Sequence, residues 1–169
     1  RPTPYAGNAG VTVLSIFSHG NIYVNANIST NGLPVDGVSG TNLTDGGAVN
    51  ISSSQGGIYI YGEINVGVAV NTANPSQNSG MGGNIQLSNS KGVSVYGNLT
   101  STGRYGLEGE ITIRTENTVI TSNNGVNDGI RSVISGRKLN KIGYGTLLLG
   151  GVSQVYSAYL NAGILQLGV

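Results

Sequence analysis

The stretch Asn21-Ile-Tyr-Val-Asn-Ala-Asn-Ile-Ser29 decides the fold, because two later stretches repeat it without a gap. The copies are Gly57-Ile-Tyr-Ile-Tyr-Gly-Glu-Ile-Asn65 and Gly92-Val-Ser-Val-Tyr-Gly-Asn-Leu-Thr100. The step is 36 residues from the first copy to the second and 35 from the second to the third. A fixed period of a few tens of residues is typical of repeat proteins in which one unit stacks on the next.

Apolar and polar residues alternate within each copy, as in a half-buried β-strand. In the first copy we expect Ile22, Val24 and Ile28 to face the interior, while Tyr23 and Asn25 point outward. If the copies stack, each inward residue lies on its equivalent in the next copy. The apolar side chains then form continuous columns.

A second strand is predicted before each copy, and it recurs at steps of 36 residues. One inward position within the copies is always small, as expected where a strand bends at a corner. The second strands centre on Val13, Val49 and Ile85, and the small residues are Ala26, Gly62 and Gly97.

The repeat unit shortens after the third copy. Ile111 follows Ile85 by 26 residues, and either Val119 or Ile120 continues the pattern. The simplest interpretation is a unit near this shorter length, to which the earlier copies add loops rich in Gly, Asn and Ser. The segments expected outside the regular stack are an N-terminal extension over residues 1–10 and loop excursions over 31–47 and 71–82.

These features predict an all-β fold in which residues 1–169 form a single β-solenoid segment. Apolar residues at helical spacing with capping residues are missing, so no helix is expected. A jelly-roll or Greek-key sandwich is the less favoured alternative, because its successive strands pair antiparallel and need not repeat in sequence. About five to six coils at the usual strand spacing make a rod of roughly 25–30 Å.

The composition excludes some classes of function. Only 9% of the residues are charged and the net charge is +1, whereas nucleic-acid binding requires a concentrated cationic surface. Seven of the eight basic residues lie between Lys91 and Lys141 among acidic ones, which predicts a solvated mixed surface. No apolar run is long enough to insert into a membrane, and cysteine is absent.

The C-terminal stretch Leu139-Asn-Lys-Ile-Gly-Tyr-Gly-Thr-Leu-Leu-Leu-Gly150 is followed by Val155-Tyr156 and by Leu160-Asn-Ala-Gly-Ile-Leu-Gln-Leu-Gly168. Together these segments, about residues 136–168, closely resemble the autotransporter passenger-associated β-strand repeat. They depart from that family at Tyr156-Ser-Ala-Tyr159, where a Gly-Gly-Thr-Thr turn is usual.

Three upstream phrases are similar to filamentous-haemagglutinin repeats. They are Gly83-Asn-Ile-Gln-Leu87, Gly92-Val-Ser-Val-Tyr-Gly-Asn-Leu-Thr-Ser-Thr-Gly103 and Gly109-Glu-Ile-Thr-Ile113. Both resemblances imply a right-handed parallel β-helix (β-solenoid) displayed outside a Gram-negative-type cell. An extracellular or cell-surface location is therefore expected.

Few residues suggest chemistry. His19 is followed by Gly20, and the chain has no Gly-x-Ser-x-Gly nucleophile motif, so an exposed turn histidine is the preferred interpretation. Glu108 and Glu110 lie on one side of a strand near Arg114, which favours a surface salt-bridge patch over acid–base catalysis. No catalytic residue, metal-ligand set or cofactor site is predicted.

Four tyrosines are the remaining candidates for a functional surface. Tyr23 and Tyr59 share one outward position on successive copies, and Tyr61 and Tyr96 share a neighbouring one. They would form an aromatic stripe on one face of the solenoid. Such a stripe is either a contact surface for sugars or a partner, or a ladder that stabilises the sheet itself.

The sequence thus predicts a non-enzymatic extracellular β-solenoid with a structural or adhesive role, part of a secreted or surface-displayed passenger. Its expected partners are surface glycans, host or neighbouring cell surfaces, or further copies of itself. Nucleic-acid binding and membrane insertion are not expected. The alternatives are a subunit of a head-to-tail self-assembling filament and a carbohydrate-active β-helix enzyme.

Overall fold

The computed structural model describes residues 12–32, 45–68, 80–103, 109–115, 119–120, 134–143, 146–149 and 154–167. In these ranges the chain contains fifteen β-strands and no helix, so the predicted all-β class is confirmed. In chain order the strands are β1 (Val13–Ser18), β2 (Ile22–Val24), β3 (Ile28–Ser29), β4 (Ala48–Ser53), β5 (Ile58–Ile60), β6 (Ile64–Asn65), β7 (Asn84–Asn89), β8 (Val93–Val95), β9 (Leu99–Thr100), β10 (Glu110–Thr115), β11 (Val119–Ile120), β12 (Ile134–Ile142), β13 (Thr146–Leu149), β14 (Gln154–Leu160) and β15 (Ile164–Leu167).

The strands form three ladders, and every pair within the described residues is parallel. The first ladder is β1-β4-β7-β10-β12-β14, and the second is β2-β5-β8-β11-β13-β15. The third contains β3, β6 and β9, and residues 134–135 at the start of β12 extend it. β12 therefore leaves the third ladder and enters the first within one strand. Parallel pairing between consecutive repeat units is what the predicted stack requires.

The interior contains the apolar columns that the repeat predicted. Ile22 pairs with Ile58 and Ile58 pairs with Val93, and all three side chains are buried. Each buried apolar surface contributes about 25 cal/mol per Å² removed from water, so the columns supply the main favourable term for folding. The other two predicted columns are also present: Val24, Ile60 and Val95 in the second ladder, and Ile28, Ile64 and Leu99 in the third.

The register of β1 differs from the prediction by one residue. Val13 pairs with Ala48 and is 58% exposed, whereas Leu14 pairs with Val49 and packs against the core. The predicted pairing of Val13 with Val49 is wrong because apolar residues occupy both faces of β1, and a one-residue slip in a strand exchanges the faces. The turn after β1 has three residues and the turn after β4 has four, which accounts for the slip.

The shorter fourth unit is confirmed. Ile111 pairs with Ile85 in the first ladder, 26 residues earlier. In the second ladder Val119, rather than Ile120, pairs with Val93. A repeat unit of this stack therefore needs only about this shorter length, and the first two units carry additional chain between the third ladder and the next layer.

The ends of both expected loop excursions belong to the paired structure. Gly32 forms a parallel bridge with Val68, and the Gly46 amide donates a hydrogen bond to the Met81 carbonyl at 2.8 Å. The rest of the two loops lies outside the described residues, as do the N-terminal extension over 1–10 and Glu108.

The position that is always small has a different cause from the predicted one. Ala26 is exposed, so this position does not point into the core. A Cβ atom at Gly62 would overlap the carbonyl of Ala26, and one at Gly97 would overlap the carbonyl of Gly62. The expectation of an inward corner was wrong. The residue must be small because the backbone of the preceding layer lies directly against it.

Side-chain oxygens at the corners bind the backbone of the following layer. Asn27 Oδ1 accepts a hydrogen bond from the Glu63 amide at 2.8 Å, 36 residues later. These bonds satisfy amide groups at bends, where the ladder pattern is interrupted. The same bond joins Asn21 Oδ1 to the Gly57 amide, Asp45 Oδ1 to the Met81 amide and Asn84 Oδ1 to the Glu110 amide.

Substitution Asn27→Ala is expected to lower the free energy of unfolding by about 1–2 kcal/mol, because it leaves the Glu63 amide without its acceptor. Asn25→Ala is the matched control, since Asn25 is exposed and lies two residues away. Urea denaturation of both variants measures the difference. Equal midpoints for the two variants would show that the corner bond does not stabilise the stack.

Lys141 contradicts the expectation that the basic residues form a solvated surface. Its side chain is 1% exposed and occupies the first-ladder column that contains Leu87 and Ile113. The ammonium group donates hydrogen bonds to the carbonyl oxygens of Ile142 at 3.2 Å and Gly143 at 2.7 Å. A buried charge persists only with such partners. Lys141 is therefore part of the core.

Candidate functional site

The structure brings the four candidate tyrosines together as two stacked pairs. The rings of Tyr23 and Tyr59 lie 4.9 Å apart between centroids, with an angle of 11° between their planes. The rings of Tyr61 and Tyr96 lie 4.9 Å apart at 5°. Tyr23 and Tyr59 are direct partners in the register of β2 and β5. In-register parallel pairing superposes equivalent side chains at about the strand spacing of 4.8 Å, and this produces the stacking.

Stacking limits what these tyrosines can contact. A sugar ring packs on the face of an aromatic ring, and within each pair the two facing surfaces cover one another. The ring edges and hydroxyl groups are the parts turned away from the partner. One hydroxyl is already engaged, because Asn21 Nδ2 donates a hydrogen bond to the Tyr23 oxygen at 3.1 Å. The geometry favours the interpretation of a ladder that stabilises the sheet.

His19 has a partner that the sequence analysis missed. Its Nδ1 atom lies 2.8 Å from the Ser54 hydroxyl, across two layers of the stack. A histidine beside a serine hydroxyl is the first requirement of nucleophilic catalysis. The alignment of the first and second units would have placed these turns side by side, but the serine follows no recognisable motif.

The remaining requirements of a serine hydrolase are missing around this pair in the described part of the chain. The Ser54 and Gln55 amides donate to the carbonyls of Ser18 and His19, so neither is available to stabilise an oxyanion. No described carboxylate hydrogen-bonds to the second ring nitrogen of His19, which a triad would need for orientation. The pair is a hydrogen bond between turns of adjacent layers.

Glu110 forms a polar cluster with the layer that follows it. Its carboxylate lies 3.6 Å from Lys138 Nζ and accepts a weak hydrogen bond from Asn140 Nδ2 at 3.4 Å. Lys138 also lies 4.8 Å from the ring centroid of Tyr159, in a cation–π contact. The predicted salt-bridge patch thus exists between layers, with Lys138 as the basic partner. An exposed ion pair of this kind contributes at most about 1 kcal/mol.

No further cluster suggests a metal or a membrane-spanning element. Over the described ranges, no three His, Cys, Asp or Glu side chains are close enough to hold a metal ion together. Within the same ranges there is no helix of the length and apolar character needed to cross a bilayer. Comparison of the chain with protein-family models, with curated proteins and with solved structures found no match.

Proposed function

We propose that this chain is a non-enzymatic extracellular β-solenoid with a structural or adhesive role, part of a secreted or surface-displayed passenger. The observation that carries the proposal is the unbroken register of the parallel ladders. Equivalent residues of consecutive repeat units pair with one another, and their apolar side chains form buried columns. Such a stack is a rigid support whose outer surface and loops are free to vary.

The full fold in this proposal is a right-handed parallel β-helix of about five to six coils. The first ladder and the second each contain six strands, one from every repeat unit. Strands that are parallel neighbours in one sheet are joined by right-handed crossovers in nearly all proteins, which supports the handedness. At about 4.8 Å per layer the stack is roughly 25–30 Å long.

The use of the polar side chains supports a structural role. Corner asparagines bind the next layer, His19 binds Ser54, and Glu110 binds Lys138. These groups hold layers together rather than converging on a common point, as catalytic groups do. The outer surface offers hydroxyl, amide and tyrosine groups, which complement the hydroxyl groups of surface glycans.

The autotransporter resemblance supports the extracellular location. The residues that carry it, about 136–168, include most of β12 and all of β13, β14 and β15. Stacked strands without cysteine suit a secreted protein that holds its shape without disulfides.

A subunit of a head-to-tail filament is the second candidate, and the distribution of exposed apolar side chains favours it. Leu160 follows Lys141 in an interior column, yet it is 45% exposed because no described strand covers it. A further stacked copy would bury such side chains. Among the described residues, most exposed large apolar side chains lie in the first two or the last two strands: Val13, Phe17, Tyr23, Tyr159, Leu160 and Ile164.

Small-angle scattering and electron microscopy of the purified chain test both candidates. A compact particle of roughly 25–30 Å along the stack, unchanged with concentration, is expected for a monomeric support. Particles that lengthen with concentration in multiples of this value would establish the filament. An experimental structure with left-handed winding would contradict the proposed fold.

Incubation with polyuronates and neutral glycans tests the enzyme alternative. We expect the glycans to remain intact, because Glu110 is the only carboxylate in its cluster and is paired with Lys138. Glycosidases generally require two carboxyl groups at a defined separation. Cleavage that Glu110→Ala abolishes would overturn the non-enzymatic proposal.

A further inference from the structure

We propose that the two stacked tyrosine pairs are sites of oxidative cross-linking, at which a haem peroxidase with hydrogen peroxide forms dityrosine bonds between adjacent layers. The pairs are Tyr23 with Tyr59 and Tyr61 with Tyr96. The chain contains no cysteine, so oxidation cannot join its layers through sulfur. Tyrosine is the side chain through which an oxidant can join them.

The geometry holds the reacting atoms together before any oxidant arrives. The rings of each pair are nearly parallel at 4.9 Å, so the ring carbons next to the hydroxyl groups of one tyrosine face those of the other. Holding two reactants at such a distance makes their coupling effectively unimolecular and raises its rate strongly over random encounter. The residues within each pair are 36 and 35 positions apart in the sequence, and only the stacked fold brings them together.

One member of each pair is open to solvent. Tyr23 is 57% exposed and Tyr61 is 50% exposed, so both phenols can transfer an electron to an oxidant at the surface. Coupling requires the two rings to tilt from a face-to-face to an edge-to-edge arrangement. A half-exposed side chain has the room for this movement, because it is not enclosed by the core.

The reaction balances with a two-electron oxidant. Each phenol loses one electron and its hydroxyl proton and becomes a phenoxyl radical. The two radicals form a carbon–carbon bond between their ortho positions, and the two ortho hydrogens then move to the oxygens, which restores both phenols. Overall two electrons and two protons are removed, and they reduce one hydrogen peroxide to two molecules of water.

A cross-link of this kind would act on stability as a disulfide does. It closes a loop of about 36 residues and removes entropy from the unfolded chain. We expect the midpoint of thermal unfolding to rise by about 5–10 °C in the cross-linked protein.

The test is treatment of the dilute full chain with peroxidase and hydrogen peroxide, followed by dityrosine fluorescence and peptide mapping. After denaturation, a protease that cleaves after Asp and Glu separates Tyr23 in peptide 1–36 from Tyr59 in peptide 46–63. The same digestion places Tyr96 in peptide 64–108. We expect cross-linked products of 1–36 with 46–63 and of 46–63 with 64–108, from protein that remains monomeric on a denaturing gel.

Phenylalanine variants provide the controls, because they keep a ring that can stack but remove the phenol. Tyr23→Phe is expected to abolish the first product, and Tyr61→Phe the second. Tyr159→Phe should change neither, although Tyr159 is 52% exposed, because its ring contacts Lys138 rather than another described tyrosine. Absence of dityrosine, products that join other tyrosines, or full cross-linking in Tyr23→Phe would overturn the proposal.

Discussion

Replacement of Gly83 by alanine is expected to lower the free energy of unfolding by at least about 3 kcal/mol, a large part of the total for a domain of this size. A Cβ atom at Gly83 would overlap the backbone carbonyl of Gly47 in the preceding layer. A Cβ atom at Gly109 would in turn overlap the carbonyl of Gly83. These three glycines form a column in which backbone lies directly on backbone. Relief of the overlap requires the layers to separate, which breaks ladder hydrogen bonds on both sides.

Gly20→Ala is the matched control for Gly83→Ala. No atom lies within 4 Å of the position that its Cβ would take, and Gly20 is exposed. The expected change is within about 0.5 kcal/mol, or slightly stabilising through the unfolded state. Chemical denaturation of both variants measures the difference. Positive backbone φ is confined to other glycines in the described residues, so a mild effect of Gly83→Ala would contradict the close approach of the layers itself.

Leu87→Asp is expected to prevent stable folding. Leu87 is fully buried in the first-ladder column between Ile51 and Ile113. A carboxylate there would lose its hydration without gaining a partner, at a cost of at least about 4 kcal/mol. Leu87→Ala gives a graded form of the same test, because the cavity it leaves costs about 2–5 kcal/mol. Soluble yield and the urea midpoint are the measurements.

Gln86→Asp serves as the control for Leu87→Asp, since Gln86 lies next to it in β7 and is exposed on the opposite face. Its expected effect is within about 0.5 kcal/mol. If both aspartate variants were equally stable, or equally unstable, the assignment of the two faces of β7 would be wrong.

The sequence predicted the pairing of the three repeat copies correctly because parallel stacking places equivalent residues in contact. Ile22, Ile58 and Val93 are similar in size, and each must fill the same cross-section of the interior. The same argument extended the stack to Ile111, whose step is ten residues shorter than the earlier ones. Loops can vary in length without disturbing such columns, because they leave and rejoin the stack at its corners.

The candidate surface was predicted only in part. The in-register positions of Tyr23 and Tyr59 follow from the repeat, but the nearly parallel stacking of their rings depends on side-chain torsions that the alternation does not specify. The contacts of His19 with Ser54 and of Glu110 with Lys138 join residues from different layers. Neither belongs to a motif that could be recognised along the chain.

The sequence by itself determined the all-β class, the spacing of the layers and the residues that face inward in the aligned copies, because period and side-chain size are properties of the chain. Only the tertiary structure decided the register of β1, where apolar residues on both faces left two pairings open. It also decided that Lys141 is buried and that the glycine positions are limited by the backbone of the preceding layer. Each of these depends on which atoms of another layer lie against a residue, and that information is not local in the sequence.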